Sequence, residues 1–229
     1  MSKFVVAIDG GAGSGKSTTA RGVAEAIGFF YLDTGAMYRA VTLKYLLNGG
    51  DTSTIDHGLI KKIITDTTID LKEHNGVLTV LLDDRDVTHE IRTPEVSKFV
   101  SPVSAIPEVR EWMVSLQRAI AEGKNLVCEG RDIGTVVFPD AEVKVFMKAD
   151  LVARALRRQK EIQEKGIVVK LEDVLANIRF RDKYDSSRSH SPLKQAEDAI
   201  VVDTTHLTIE QEIEQVVSII EKRRSIQGH

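Results

Sequence analysis

Five short apolar runs punctuate the chain, at Phe4 to Ile8, Phe29 to Leu32, Leu126 to Cys128, Val143 to Met147 and Ala199 to Val202. Continuous apolar runs rich in β-branched residues, each followed by a turn or a helical pattern, are what strands buried on both faces require. Between and after them lie stretches with helical spacing: Lys16 to Ile27, Gly35 to Leu47, Pro107 to Glu122, Leu151 to Glu164 and Thr208 to Arg224. The last opens on Thr208 with Gln211 three positions on, a capping-box pattern, and continues with Ile213, Val216, Val217 and Ile220 at helical spacing. Strands alternating with helices predict an α/β fold of three layers, with a five-stranded parallel sheet between helices.

Two stretches interrupt the alternation and are expected to form lobes. The first contains Thr68 to Leu71 and Val77 to Leu82 around Asn75-Gly76, a hairpin signal. The second is highly charged and carries Arg154, Arg157, Arg158, Arg179, Arg181 and Arg188. The expected organisation is a core at 1–50, 104–150 and 189–229, interrupted by an inserted lobe at 51–103 and a small helical lid at 151–188. No internal repeat or low-complexity tract is visible.

The 229 residues, 42% of them hydrophobic, suffice for one sizeable core but not for two large independent domains. Charge is nearly balanced, 31 Lys+Arg against 34 Asp+Glu, so broad attraction to nucleic-acid backbones is not expected and any anion site must be local. Cys128, the single cysteine, lies inside an apolar run and is expected in a core strand. No segment has the apolar length of a bilayer span and no targeting segment is read, so a cytoplasmic location is the expectation. Without a spare apolar helix stripe, so is a monomer.

Chemistry enters with Gly10-Gly11-Ala12-Gly13-Ser14-Gly15-Lys16-Ser17, which fits G-x-x-x-x-G-K-[ST] and lies between a strand pattern and a helix pattern, the context this phosphate loop requires. Glycines let backbone amides turn inward around phosphate oxygens, and the following helix presents its unsatisfied N–H groups and positive dipole end to the same anion. Lys16 can then reach the β- and γ-phosphates, and the Ser17 hydroxyl can ligate Mg2+. ATP is therefore expected on Gly10, Gly11, Ala12, Gly13, Ser14, Gly15, Lys16, Ser17 and Thr18, with Arg157 and Arg158 from the charged lobe. A GTPase switch would add Asp-x-x-Gly and [Asn/Thr]-Lys-x-Asp. No Asp here has Gly three positions later, and Met147-Lys148-Ala149-Asp150 puts an apolar residue where the guanine reader should stand.

The second strand ends in Tyr31-Leu32-Asp33-Thr34-Gly35-Ala36-Met37-Tyr38-Arg39, at the sheet edge where α/β ligands bind. Together with Glu129-Gly130-Arg131-Asp132-Ile133-Gly134-Thr135-Val136-Val137-Phe138-Pro139, the stretch Arg181 to Arg188, and Ile91-Arg92-Thr93-Pro94-Glu95-Val96-Ser97, the chain resembles bacterial cytidylate kinases through nearly its whole length. One departure is Gly11, where many relatives carry Pro.

The resemblance implies ATP-dependent phosphoryl transfer to CMP or dCMP with Mg2+. It implies that Thr34, Arg39 and Arg131 meet the CMP phosphate, and that Ser101, Arg110 and Asp132 face the cytosine edge. Asp185 would accept from the ribose hydroxyls, with Arg181 and Arg188 between sugar and phosphates. Lys16, Arg131, Arg181 and Arg188 are then the expected catalytic groups. The chemistry fits, since a carboxylate opposite an arginine matches the exocyclic amine and ring acceptors of cytosine. Blander readings stand beside these. Arg131 and Asp132 could form a local ion pair, and Arg181 and Asp185 have the i,i+4 spacing of a solvated helix pair. Tyr38, Trp112 and Met113 are expected to pack rather than to contact ligand. The competing functions are another small P-loop kinase, acting on a different monophosphate or a small alcohol, and a nucleotide-dependent switch.

Overall fold

The computed structural model describes residues 4–51, 53–74, 77–164 and 166–227. They fall into two compact units, one of residues 1–31 and 123–229 and the other of 32–122.

The sheet is built from β1 (Val5–Gly10), β2 (Phe30–Asp33), β6 (Leu126–Gly130), β7 (Val143–Lys148) and β8 (Ile200–Asp203), in the order β2-β6-β1-β7-β8. The central strand β1 pairs in parallel with β6 and with β7, and β7 pairs in parallel with β8. All five expected strands are present. The central pair explains their continuous apolar character, since every residue of β1 and of β6 is buried. Cys128 is buried in β6, as a core residue.

In the first unit, α1 (Lys16–Ile27) follows the phosphate loop directly and buries Thr19, Ala20, Val23 and Ala24 along one stripe. It ends at Gly28, whose φ of 68° lets its N–H turn back to the carbonyls of Ala24 and Glu25. Helix α8 (Ile209–Gln227) packs on α1 and begins with the expected reciprocal cap: Thr208 N–H donates to Gln211 Oε1 at 3.0 Å, and Gln211 N–H donates to Thr208 Oγ1 at 3.3 Å. Helices α6 (Leu151–Gln163) and α7 (Leu171–Ser187) pack on one another. Their shared apolar cluster of Ala155, Val174 and Ile178 also takes in Ala12 of the phosphate loop, so this pair is anchored on the loop itself.

The second unit contains α2 (Thr34–Leu47), α3 (His57–Asp66), α4 (Pro94–Ser104), α5 (Pro107–Ala121) and a small antiparallel sheet of β3 (Ile69–His74), β4 (Val77–Leu82) and β5 (Arg85–Asp86). The strands of the expected hairpin pair as read, while its turn residues Asn75 and Gly76 lie outside the described residues. A second two-residue turn, Asp83-Asp84, joins β4 to β5 with φ of 52° and 62°, the left-handed pair that suits a tight hairpin. The Asp83 carboxylate braces it by accepting from Thr68 N–H at 2.9 Å. Met113 is fully buried on α5, as packing predicts.

Among the described residues no helix is long and apolar enough to cross a membrane.

Gly10 closes β1 against the neighbouring strand so tightly that an added Cβ would lie 2.5 Å from the Met147 carbonyl oxygen. Gly10→Ala is expected to lower the unfolding free energy by about 1–3 kcal/mol, the cost of overpacking against backbone. Urea denaturation checks this, and an unchanged midpoint would contradict the packing.

Candidate functional site

The loop between β1 and α1 turns through Gly13 and Gly15, whose φ values of 73° and 88° lie in the region that favours glycine. Three carboxylates from elsewhere in the same unit hold it. Glu129, on the strand beside β1, accepts from Ser17 Oγ at 2.6 Å and stands 3.9 Å from Lys16 Nζ. Lys16 also donates to the Gly11 carbonyl at 3.2 Å. Asp182, on α7, accepts from Ala12 N–H at 3.2 Å and from Arg154 Nη1 at 2.6 Å, and the same Arg154 nitrogen donates to the Ala12 carbonyl at 3.0 Å. The Arg154–Asp182 pair thus clamps the outside of the loop. An added Cβ on Gly11 would stand 3.0 Å from each of its two polar atoms. Glu212, on α8, accepts from Thr19 Oγ1 at 2.5 Å, lies 3.3 Å from Arg157 Nη1, and comes so close that a Cβ on Gly15 would meet it at 2.8 Å. Burial pushes the Glu212 carboxyl up, an effect that Thr19 and Arg157 reduce.

A fourth carboxylate, Asp9, holds the neighbouring turn. Burial lifts its carboxyl from near 3.8 to about 6, a rise reduced by the N–H groups of Gly134 and Ile133, each donating to it at 2.8 Å. Those two residues open the turn Ile133–Val137 that follows Arg131 and Asp132.

Beside the loop stands an arginine group. Arg131 Nε donates to Asp185 Oδ2 at 2.9 Å, and Arg188 Nη2 lies 3.6 Å from Asp132 Oδ1. Burial opposes the Arg131 charge, but Asp185 and Glu129 outweigh it and raise its pKa above the ordinary value. Arg181 is treated differently. Burial and the neighbouring Arg131 and Arg158 push it down to about 10, against the pull of Asp185 and Asp182, and its buried Nε has no hydrogen-bond partner among the described residues. The buried Ser14 Oγ likewise has none. An orphaned guanidinium N–H in a buried setting is what an anion would satisfy.

Of the remaining residues expected on the ATP side, Arg157 is engaged by the Thr204 carbonyl, by Thr204 Oγ1 at 3.2 Å, by the Leu207 carbonyl at 3.3 Å and by Glu212. Arg158 pairs with Glu161 at 2.8 Å along the same helix.

The second unit holds the other expected residues. Thr34 starts α2, capped by Asp33, whose carboxylate accepts from Ala36 N–H at 2.8 Å and faces Arg92 at 3.3 Å. Arg39, on the same helix, donates to the Ile91 carbonyl at 3.2 Å and to Ser97 Oγ at 2.9 Å. Ser101 is buried on α4, and the buried Arg110 on α5 donates to the Ser104 carbonyl at 3.0 Å while its guanidinium lies 5.1 Å from the Tyr38 ring centre. Tyr38 therefore packs, as read, but against a charged partner.

Sequence reasoning did not single out Asp9, Glu129, Arg154, Asp182 or Glu212 as loop supports. Only Glu129 and Asp182, inside stretches that carry the resemblance, had a local signal.

Among the described residues no group of three or more His, Cys, Asp or Glu side chains could hold a metal. Mg2+ does not need one, because it typically takes one or two protein oxygens and completes its shell with substrate phosphates and water. The exposed Ser17 hydroxyl at the start of α1 fits that donor set.

The sequence profile of the family described as cytidylate kinase matches residues 6–222. A cytidylate kinase of Carboxydothermus hydrogenoformans is 48% identical over 221 residues, covering 96% of this chain and 99% of the relative. That of Caldanaerobacter subterraneus subsp. tengcongensis is 51% identical over 217 residues, covering 95% and 94%. A crystal structure of an uncharacterized protein from Eubacterium ventriosum shares the fold at a TM-score of 0.52 and 12% identity, covering 96% of this chain and 99% of that one.

The Asp9 carboxyl gives a pH prediction with a definite sign. Its folded-state pKa, about 6, lies above the ordinary 3.8, so the folded chain binds this proton more tightly than the unfolded one. Its favourable contribution is complete below about pH 4 and is lost as pH rises through about 6, a change of roughly 3 kcal/mol. Urea unfolding of the wild type and Asp9→Asn between these limits should show the stability difference shifting by that amount in favour of the variant as pH rises. A difference that does not vary with pH would contradict it.

Proposed function

Because the chain belongs to the cytidylate kinase family, we propose that it moves the γ-phosphoryl group of ATP onto CMP or dCMP, giving CDP or dCDP. The observation that carries the reading is Arg181, a guanidinium depressed by burial and by its cationic neighbours, with its Nε unsatisfied among the described residues. A buried guanidinium with an unsatisfied N–H among ion-paired arginines is suited to an acceptor that is itself a phosphate.

Phosphoryl transfer asks for positioning and charge stabilisation, since charge spreads over three oxygens in a loose transition state. Lys16 reaches the β- and γ-phosphates, the loop amides and the start of α1 cradle the same groups, and Arg181 with Arg131 and Arg188 faces the transferring group. Ser17 would hold Mg2+, which when bound would supply positive charge to the nucleotide phosphates. Glu129 accepts from Ser17 Oγ and would orient that hydroxyl for the ion. Thr18, Arg157 and Arg158 complete the proposed ATP side.

For CMP, the proposed contacts are Thr34, Arg39 and Arg131 to the phosphate, Ser101, Arg110 and Asp132 to the base, and Asp185 to the ribose. A phosphate acceptor is largely deprotonated at neutral pH, so no strong general base is needed and Asp132 is assigned to recognition. Uracil would set an oxygen against the Asp132 carboxylate, an unpaired contact costing about 1–3 kcal/mol. The near-balanced charge supports an enzyme without nucleic-acid partners, and the proposal is of a cytoplasmic monomer without membrane partners.

The test is ATP-dependent ADP release with CMP, dCMP, UMP, AMP and GMP supplied separately, with and without Mg2+. Strong Mg2+-dependent stimulation by CMP and dCMP is expected, with UMP weaker by roughly 5- to 150-fold in kcat/KM. Equal stimulation by UMP or AMP would overturn the Asp132 assignment. No stimulation by any acceptor would leave nucleotide binding alone.

A further inference from the structure

We propose that Asp9 is a positioning residue for base selection, acting through the turn that presents Arg131 and Asp132. The register of the sheet sets Asp9 beside Gly130, one residue before Arg131. Its two carboxylate oxygens divide their work, Oδ1 accepting from Ile133 N–H and Oδ2 from Gly134 N–H, each at 2.8 Å. Asp132, which occupies the cap position of that turn, makes no side-chain cap there, so Asp9 supplies from another strand the acceptor that a helical start normally finds in its own cap residue. Gly134 is also confined, since an added Cβ would stand 3.1 Å from the Lys144 side chain and 3.5 Å from the Asp9 carboxylate.

A single carboxylate therefore ties the strand that ends in the phosphate loop to the turn that begins at the proposed cytosine reader. This inference rests on the assignment of Asp132 to base recognition. The charged groups that face Asp9 are Asp132, which raises its pKa, and Arg131, which lowers it, while Lys144 on β7 is paired with Asp198 at 2.9 Å. Protonation of Asp9 would turn one acceptor into a donor and orphan one of the two turn amides. Asp9→Asn imposes the same change at every pH.

The experiment compares Asp9→Asn with Asp132→Asn in steady-state kinetics, varying CMP, UMP and ATP separately. If Asp9 positions the reader, both variants raise the CMP KM by about tenfold or more, the scale set by an orphaned buried donor. Both also narrow the ratio of CMP to UMP kcat/KM, and neither moves the ATP KM by more than about twofold, within the spread of a contact that does not touch ATP. Asp132→Asn narrowing that ratio while Asp9→Asn leaves it unchanged overturns the proposal and leaves the reading of Asp132 standing. An unchanged ratio in Asp132→Asn overturns that reading and the proposal with it. Should Asp9→Asn fail to fold, an amide proton titration of the wild-type chain without nucleotide decides. The Ile133 and Gly134 resonances should shift together with an apparent pKa of about 6. Resonances that stay fixed through that range overturn the proposal.

Discussion

A loop made of glycines can aim its amides at a phosphate, but it has no side chains with which to hold that shape. The stiffness must come from outside. Here it comes from carboxylates: Glu129 on the Ser17 hydroxyl, Asp182 on the Ala12 amide, and Glu212 against Gly15 and Thr19. Asp9 fixes the neighbouring turn from the strand that leads into the loop. Each arrives from a different element, which is why the order of strands and the docking of α7 and α8 matter to a loop they do not contain.

Carboxylates so close to a phosphate site need cations to balance them, and the arginines of the unit divide accordingly. Arg154, Arg157, Arg131 and Arg188 face Asp182, Glu212, Asp185 and Asp132 respectively. Arg181 is depressed to about 10 by burial and by its cationic neighbours, and its Nε is unsatisfied among the described residues. A buried charge in that condition is stabilised when an anion arrives, so the binding energy of a phosphate is directed to the place where the proposed transfer occurs. The raised carboxyl of Asp9 is the complementary case: a charge kept buried at a cost to stability because both its oxygens hold backbone amides.

Much of this was legible in the sequence because it rests on periodicity and local motif. Continuous apolar runs marked the five strands, and the glycine loop announced itself between the first strand and α1. The Thr208–Gln211 cap marked the start of α8. Helix α7 was not assigned from its pattern, because its buried positions Val174, Ile178 and Asp185 form a thin stripe in a charged surround. Helix α4 carries Pro102 within it, which masks a start otherwise signalled by Thr93 before Pro94. The supports of the loop were illegible for a different reason. Asp182 and Ala12 are 170 residues apart, and Glu212 and Thr19 are 193 apart, so no spacing rule relates them. Isolated acidic residues read as surface until the fold brings them to a backbone amide. Arg157, expected toward ATP, is held by the Thr204 and Leu207 carbonyls and by Glu212, partners equally remote in sequence.

The most direct test of charge stabilisation by Arg181 is to replace it with alanine and measure single-turnover phosphoryl transfer alongside equilibrium binding of CMP and of ATP. A fall in the transfer rate of about 10²–10³, the scale of removing one preorganised charge donor, is predicted, with both nucleotides still bound. Transfer at the wild-type rate with unaltered affinity for both would contradict it.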